Sequence, residues 1–313
     1  MAIFSLVFFK VLSALLSVVI GYLAGRFSNV EKESIASLLF YFVAPIVFFA
    51  IPTNTHLTFN ALGITAVTFV LSSFLGFFSY WLYGKFWQDS HKNILGLSAG
   101  TGNSGYVVLP VATAIFNDNT LSIYALGLIG IAIYESSIGC YFCARSVSTF
   151  KQSVLKVIKL PLLNAFFFGC TLSLMGFQLP HFFDDFVANM KGSYSILGMV
   201  MIGVALSKVQ KFELDVKFTM AAFASKFLYY PIVFNVFILF DRFVLGWYDN
   251  EYYNALQLLS IAPLATNTIV LASLYKIYPE KVATAVLLSL IFVLIYMPVM
   301  ASIFLQDVNI PVG

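Results

Sequence analysis

Two asparagines lie in the middle of hydrophobic stretches, each beside residues that interrupt helices. Asn103 lies in Ser98-Ala-Gly-Thr-Gly-Asn-Ser-Gly-Tyr-Val-Val-Leu-Pro110, and Asn267 lies in Ile261-Ala-Pro-Leu-Ala-Thr-Asn-Thr-Ile-Val270. Backbone that leaves a helix at membrane depth is tolerated only where protein buries it or where it lines a wet cavity. Two such interruptions in corresponding places are typical of a substrate site, although a single one is more often a kink that neighbouring helices absorb.

The interruptions have a simple chemical consequence. Gly102 and Gly105 weaken the first helix, and Pro110 and Pro263 each remove a backbone donor. Each restarted helix begins with unpaired N–H groups and a partial positive charge, which suits a carboxylate. The two asparagines would add side-chain donors and acceptors there. The substrate-binding set predicted at the breaks also includes three adjoining residues: Gly102, Ser104 and Thr266.

Two charged residues lie inside hydrophobic stretches, Glu135 and Lys226. A charge at the centre of a membrane helix costs about 2.5–3.5 kcal/mol on insertion scales, so such residues are usually paired or functional. We expect the two side chains to approach one another or to share a water-filled site. Two interpretations stay open: a proton or sodium coupling site, or a static buried ion pair that holds helices together.

The composition requires a membrane to bury these stretches. Of 313 residues, 60% are hydrophobic and 10% are charged, which no soluble domain of this size could cover with polar groups. Stretches of about 20 apolar residues predict an all-α protein with ten transmembrane helices. Their approximate bounds are 3–26, 34–53, 59–84, 92–116, 120–145, 158–178, 190–208, 217–240, 251–275 and 280–305. No metal, other cofactor or nucleic-acid partner is indicated.

Lysine and arginine are distributed unevenly between the loops. Of the 17 such residues, two follow even-numbered spans (Lys191 and Arg242) and two fall inside spans (Lys10 and Lys226). The others belong to loops after odd-numbered spans: Arg26, Lys32, Lys85, Lys92, Arg145, Lys151, Lys156, Lys159, Lys208, Lys211, Lys217, Lys276 and Lys281. The positive-inside rule therefore predicts that both termini lie outside the cytoplasm.

The longest basic loop, at about 146–157, divides the spans into five and five. We expect residues 1–149 and 150–313 to form two five-helix repeats. Because five is odd, the second repeat would enter the membrane from the opposite side, which makes the repeats inverted. The broken spans are the fourth and the ninth, so they occupy the same position in each half.

The broken segments resemble the auxin efflux carrier family, which holds plant auxin exporters and many bacterial organic-anion permeases. Gly102-Asn-Ser-Gly-Tyr-Val-Val-Leu-Pro110 is similar to the family's Gly-Asn-Thr-Gly…Leu-Pro segment. Two further segments are similar to the family: Ala262–Ala272 followed by Tyr275, and Phe40–Phe49, which contains Pro45. The resemblance implies the fold of bile-acid symporters and sodium–proton antiporters, in which two broken helices cross near the membrane centre.

The resemblance also implies roles for particular residues and spans. Asn103 and Asn267 would contact a substrate carboxylate, Pro110 and Pro263 would mark the crossover, and the second span would line the pocket near Pro45 and Phe48. Spans 1, 2, 6 and 7 would form a scaffold, often dimeric, and spans 3–5 and 8–10 a moving transport domain. Phe48 is bulkier than the residue some members carry, and the third span lacks the acid common there.

The function predicted from these features is secondary active transport of a small organic anion, either an auxin-like carboxylate or a dicarboxylate, by elevator-type alternating access. H⁺ or Na⁺ is the expected coupling ion, and a bacterial inner membrane the expected location. A channel or uniport facilitator and a non-transporting sensor on the same fold stay open as alternatives. An enzyme is disfavoured, because no predicted span holds a histidine or paired aspartates to activate a nucleophile.

Overall fold

The computed structural model describes residues 2–28, 30–53, 59–144, 161–209 and 213–305. Every described element is a helix, and the described ranges contain no strand. The basic loop at 146–157, with the predicted boundary between residues 149 and 150, lies outside the described residues. So do five of the basic residues used for orientation: Arg145, Lys151, Lys156, Lys159 and Lys211.

The α-helices are numbered in chain order, and several are joined by π-helical turns. They are α1 Ala2–Phe27, α2 Lys32–Leu38, α3 Ala44–Thr53, α4 Phe59–Tyr83, α5 His91–Gly100, α6 Leu109–Ile115, α7 Asp118–Tyr134, α8 Cys140–Ala144, α9 Pro161–Leu174, α10 Asp184–Ser207, α11 Val216–Phe223, α12 Tyr230–Phe240, α13 Asn250–Ser260, α14 Asn267–Tyr275 and α15 Pro279–Phe304. The π turns are Leu39–Val43, Ser104–Val108, Glu135–Gly139, Ala224–Tyr229 and Asp241–Leu245, and a 3₁₀ turn spans His181–Phe183.

Seven helical stretches in the described ranges are long and apolar enough to cross a membrane. They are Ile3–Phe27, Glu33–Thr53, Leu62–Tyr83, Asp118–Cys143, His181–Ser207, Val216–Leu245 and Pro279–Phe304. These seven match seven of the ten predicted spans. The stretches at 92–116 and 251–275 are each divided into shorter helices, and the sixth begins among residues that are not described. The described part of the chain is therefore all-helical with seven candidate membrane spans, and the ten-span inverted-repeat arrangement stays a prediction.

Three of the π turns end two residues before a proline: Pro45, Pro110 and Pro231. A proline has no N–H to donate to the carbonyl four residues back, and its ring crowds that carbonyl. The helix widens locally to relieve the crowding, which explains a π turn at each place. Pro45 and Pro110 therefore act on backbone shape. A fourth π turn begins at Glu135, and no proline in this position accounts for it.

Glycines bring pairs of long helices into close contact. A Cβ at Gly21 would overlap the backbone of Val200, and one at Gly203 would overlap the carbonyl of Val18, so α1 and α10 touch through backbone. A Cβ at Gly169 would lie 2.5 Å from the carbonyl oxygen of Phe49, which brings α9 onto α3. Predicted span 1 therefore packs against span 7, and span 2 packs against span 6. The division into scaffold and transport domains stays a prediction.

Polar residues from three loops form a cluster at one end of the helices. His91 Nδ1 lies 2.8 Å from Asp89 Oδ1, and the Nζ of Lys281 donates to Asp215 Oδ2 at 2.9 Å. The hydroxyl of Tyr278 donates to Asp89 Oδ2 at 3.1 Å. Burial alone would raise the pKa of Asp89, but the hydrogen bonds from His91 and Tyr278 outweigh it and lower that pKa. All three loops follow odd-numbered predicted spans, as expected if those loops share one membrane side.

Candidate functional site

The two helix breaks contact each other directly. The backbone N–H of Asn103 donates to the carbonyl oxygen of Pro263 at 2.9 Å. Helix α5 ends at Gly100 with Thr101 extended, and helical structure resumes at Ser104. In the other break, α13 ends at Ser260 and α14 begins at Asn267. The two interruptions that stand out in the sequence therefore form one structural feature.

A cavity of about 160 Å³ lies against both breaks. Five elements besides the breaks contribute to its wall: α3, α7, the π turn at Glu135, α9 and α10. Its lining residues are Phe48, Thr101, Gly102, Asn103, Gly105, Tyr106, Leu128, Ile131, Ala132, Glu135, Ser136, Pro161, Tyr194, Ala265, Thr266 and Asn267. Seven of the predicted site residues are in that set. The other five (Pro45, Ser104, Pro110, Lys226 and Pro263) do not line it.

Glu135 is hydrogen-bonded to both breaks. The hydroxyl of Thr101 donates to Glu135 Oε2, and Asn267 Nδ2 donates to Glu135 Oε1 at 2.8 Å. An ionised carboxylate accepts about four hydrogen bonds, so Glu135 keeps acceptor capacity on both oxygens. One of the two Asn267 amide hydrogens is thereby used within the protein. Asn267 thus binds Glu135 and also lines the cavity, and its bond to Glu135 is not predicted from the sequence.

Asn103 provides a donor that no protein group uses. Its side chain is 4% exposed, and its Nδ2 is buried without a hydrogen-bond partner among the described residues. Leaving such a donor unpaired costs about 1–3 kcal/mol. Because Asn103 lines the cavity, an acceptor bound there would remove that cost. The Oγ of Ser104 is likewise buried and unpaired, while its carbonyl accepts a hydrogen bond from Tyr124 at 2.7 Å.

Lys226 is fully buried, and its ammonium is bound to the first break. The Nζ donates to the carbonyl oxygen of Thr101 at 3.0 Å and lies 3.3 Å from the centroid of the Tyr230 ring. Thr101 is the C-cap of α5, where unpaired carbonyls carry partial negative charge. A Cβ at position 102 would lie 2.5 Å from this Nζ. Gly102 is therefore the residue that leaves room for the ammonium.

Glu135 and Lys226 meet at Thr101 instead of pairing with each other. The carboxylate binds the Thr101 hydroxyl and the ammonium binds its carbonyl oxygen. The two ions make no direct ion pair in the described structure. Sequence reasoning missed Thr101, although it directly precedes the Gly-Asn motif.

Aromatic rings close one side of the cavity. The rings of Phe48 and Tyr194 meet edge to face with centroids 5.8 Å apart, and those of Tyr106 and Tyr194 lie 5.3 Å apart. Leu128 and Ile131 of α7 add aliphatic surface. The cavity thus has polar groups at the breaks and an apolar wall. No local signal marks Tyr194, because it lies about 90 residues from Asn103 in the chain.

No metal centre is found near these groups. The described residues contain no cluster of three or more His, Cys, Asp or Glu side chains that could hold a metal ion. His91 and His181 each lie close to an aspartate, and His56 lies outside the described residues. The polar chemistry of the site therefore rests on amide, hydroxyl, carboxylate and backbone groups.

The family model described as "Membrane transport protein" matches residues 144–301, about half of the chain. An uncharacterized transporter from Methanocaldococcus jannaschii is 26% identical over 314 aligned positions, which cover 95% of this chain and 98% of that protein. The chain is therefore a member of the membrane transport protein family, the auxin efflux carrier group that its two broken segments resemble.

Proposed function

We propose that the protein is a secondary carrier for a small organic carboxylate. The observation that carries this proposal is the unpaired amide donor of Asn103, a residue that lines the cavity at two contacting helix breaks. The N-terminal end of α14, at Thr266 and Asn267, adds partial positive charge beside the same cavity. A carboxylate would satisfy both features, and the apolar wall would hold the rest of the substrate.

Elevator-type alternating access is the mechanism that fits the bonding around the cavity. Hydrogen bonds join the two breaks to each other, to the π turn after α7 through Glu135, and to the eighth predicted span through Lys226. At the cavity, α3 and α10 contribute the rings of Phe48 and Tyr194. Surfaces that meet through aromatic rings can slide past each other, whereas hydrogen bonds to charged groups would have to break. The bonded group would move as a unit past α3 and α10, which would carry any homodimer contact.

The charge of Glu135 has to be balanced when a carboxylate enters. Two unit charges about 6 Å apart repel by about 3 kcal/mol at an effective dielectric constant of about 20. A proton, a sodium ion or a positive group on the substrate would each remove that repulsion. We infer from the lysine and arginine distribution that both termini face the extracytoplasmic side, in a bacterial inner membrane.

The decisive experiment is uptake and counterflow in proteoliposomes with a panel of organic acids under imposed proton and sodium gradients. Saturable counterflow is expected from a carrier. Single-channel currents would indicate a pore, and binding without uptake would indicate a sensor. Absence of both binding and uptake for every carboxylate would refute the proposal.

Asn103→Ala tests the site itself. Because the substitution removes one hydrogen bond to a buried carboxylate, it should weaken binding by about 1–3 kcal/mol, or about 5- to 150-fold. Asn235→Ala is the matched control, since Asn235 bonds to the Pro231 carbonyl of its own helix at 2.8 Å and does not line the cavity. Wild-type affinity in Asn103→Ala would remove Asn103 from the site.

A further inference from the structure

The charges around the cavity do not match a simple anion. Among the described residues that line it, Glu135 is the one Asp, Glu, Lys, Arg or His side chain. Lys226, the nearest buried cation in the hydrogen-bond network, is bound to the Thr101 carbonyl and covered by the Tyr230 ring. The wall therefore carries a carboxylate and no mobile positive side chain to neutralise a bound anion.

Glu135 is arranged as an acceptor. Each of its oxygens receives one protein hydrogen bond, from Thr101 and from Asn267. The remaining lone pairs on both oxygens are available to a donor group on a ligand. The group that best fits this end of the cavity is an ammonium, which brings positive charge and three donors.

The break at Asn103 has the opposite polarity. Its buried Nδ2 lacks an acceptor, and the N-terminal end of α14 lies beside the same cavity. A carboxylate fits here for the reasons given for the proposed function. The third part of the wall is apolar, built from Phe48, Leu128, Ile131 and the two tyrosine rings.

We infer that the cavity binds a zwitterionic amino acid with an apolar side chain. Its ammonium contacts Glu135, its carboxylate contacts Asn103 and the start of α14, and its side chain packs against the aromatic wall. The inference deepens the proposed function and rests on it. It also gives a reason for the buried carboxylate: the substrate itself supplies the charge that balances Glu135. A volume of about 160 Å³ is below the range of about 300–1,000 Å³ typical of pockets for drug-sized ligands, as suits such a small molecule.

Matched ligand pairs test the inference. Valine with isovalerate, leucine with isocaproate, and phenylalanine with hydrocinnamate differ by the amino group alone. Affinities are measured by isothermal titration on the purified full-length protein, with counterflow in proteoliposomes as a second readout. At least one amino acid should bind tenfold or more tightly than its deaminated partner. The amine isoamylamine, which lacks the carboxylate, should bind at least tenfold more weakly than leucine.

Glu135→Gln should reverse the order within the pairs. Removing the negative charge should weaken amino acid binding at least tenfold and make the deaminated acid the equal or better ligand. Glu213→Gln is the control, since Glu213 is exposed and lies 3.8 Å from Lys281; it should leave the order unchanged. If Glu135→Gln does not fold, the wild-type comparison alone decides.

The outcomes separate this inference from the proposed function. Tighter binding of the deaminated acids to the wild-type protein would overturn the zwitterion assignment and leave a carboxylate carrier. An unchanged order in Glu135→Gln would also overturn it, because Glu135 would then not hold the ammonium. Failure of all amino acids and all organic acids to bind would overturn both.

Discussion

Gly102→Ala should destabilise the protein by displacing the ammonium of Lys226. The new Cβ would lie 2.5 Å from Nζ and 3.1 Å from the Cβ of Ala262, whereas non-bonded heavy atoms prefer about 3.5–4.0 Å. The Nζ therefore has to retreat by about 1 Å, and we expect this movement to break its 3.0 Å bond to the Thr101 carbonyl. Losing a hydrogen bond to a charged group costs about 1.5–3 kcal/mol.

Unfolding by SDS titration in mixed micelles measures that cost, and a double-mutant cycle identifies its origin. With Lys226→Ala as the background, Gly102→Ala should lose less than about 1 kcal/mol, because the displaced ammonium is already gone. Gly192→Ala is the control: it lies in α10 with open space around it and should be neutral or stabilising by up to about 1 kcal/mol. Equal losses in both backgrounds would show that the ammonium is not the group that Gly102 accommodates.

Two further predictions concern the packing and the polar loop cluster. Gly203→Ala should lower the free energy of unfolding by about 1–3 kcal/mol in the same titration, because its Cβ would overlap the backbone carbonyl of Val18, which cannot rotate away. A loss of stability no greater than that of Gly192→Ala would mean that α1 and α10 are free to separate. The backbone N–H of Phe218 and then the Lys281 ammonium hold the pKa of Asp215 below its ordinary value. The stabilisation from Asp215 is therefore complete above the ordinary carboxylate range and is lost as pH falls through the lower folded-state value. Thermal unfolding from neutral pH to about pH 3 should show that the wild-type protein loses more stability at acid pH than Asp215→Asn does. An identical pH profile in the two proteins would contradict the role given to Asp215.

Local chemistry explains what the sequence could predict of this fold. Glycine and proline act on the helix that contains them, so the breaks at Asn103 and Asn267 are visible in the chain. Glu135 and Lys226 stand out because a charge inside an apolar stretch is costly. The prolines at positions 45, 110 and 231 also predict irregular helix, although widening into a π turn depends on the surrounding packing.

Partners in the site could not be predicted in the same way. Thr101 binds both charged groups because of where the helices that carry Glu135 and Lys226 pack against the first break. That packing is a property of the tertiary structure. Tyr194 comes from a distant helix and is placed by the Gly-mediated contact of α10 with α1. The sequence predicts that Glu135 and Lys226 approach one another or share a water-filled site, and it does not predict that both bind Thr101.

Thr101 links the state of the cavity to the integrity of the first break. Its hydroxyl donates to the carboxylate of Glu135, which lines the cavity, and its carbonyl accepts a hydrogen bond from the Lys226 ammonium at the end of α5. Without a ligand, the Glu135 carboxylate would be stabilised by its two protein donors alone. A bound cationic group would weaken its hydrogen bond with the Thr101 hydroxyl. Because Glu135 and Lys226 bind the hydroxyl and the carbonyl of this one residue, a change in the charge of Glu135 would alter the field at the Lys226 ammonium. Under the proposed function, Thr101 would couple substrate occupancy to the stability of the bonded group around the breaks, as a carrier requires if that group is to move when it is loaded.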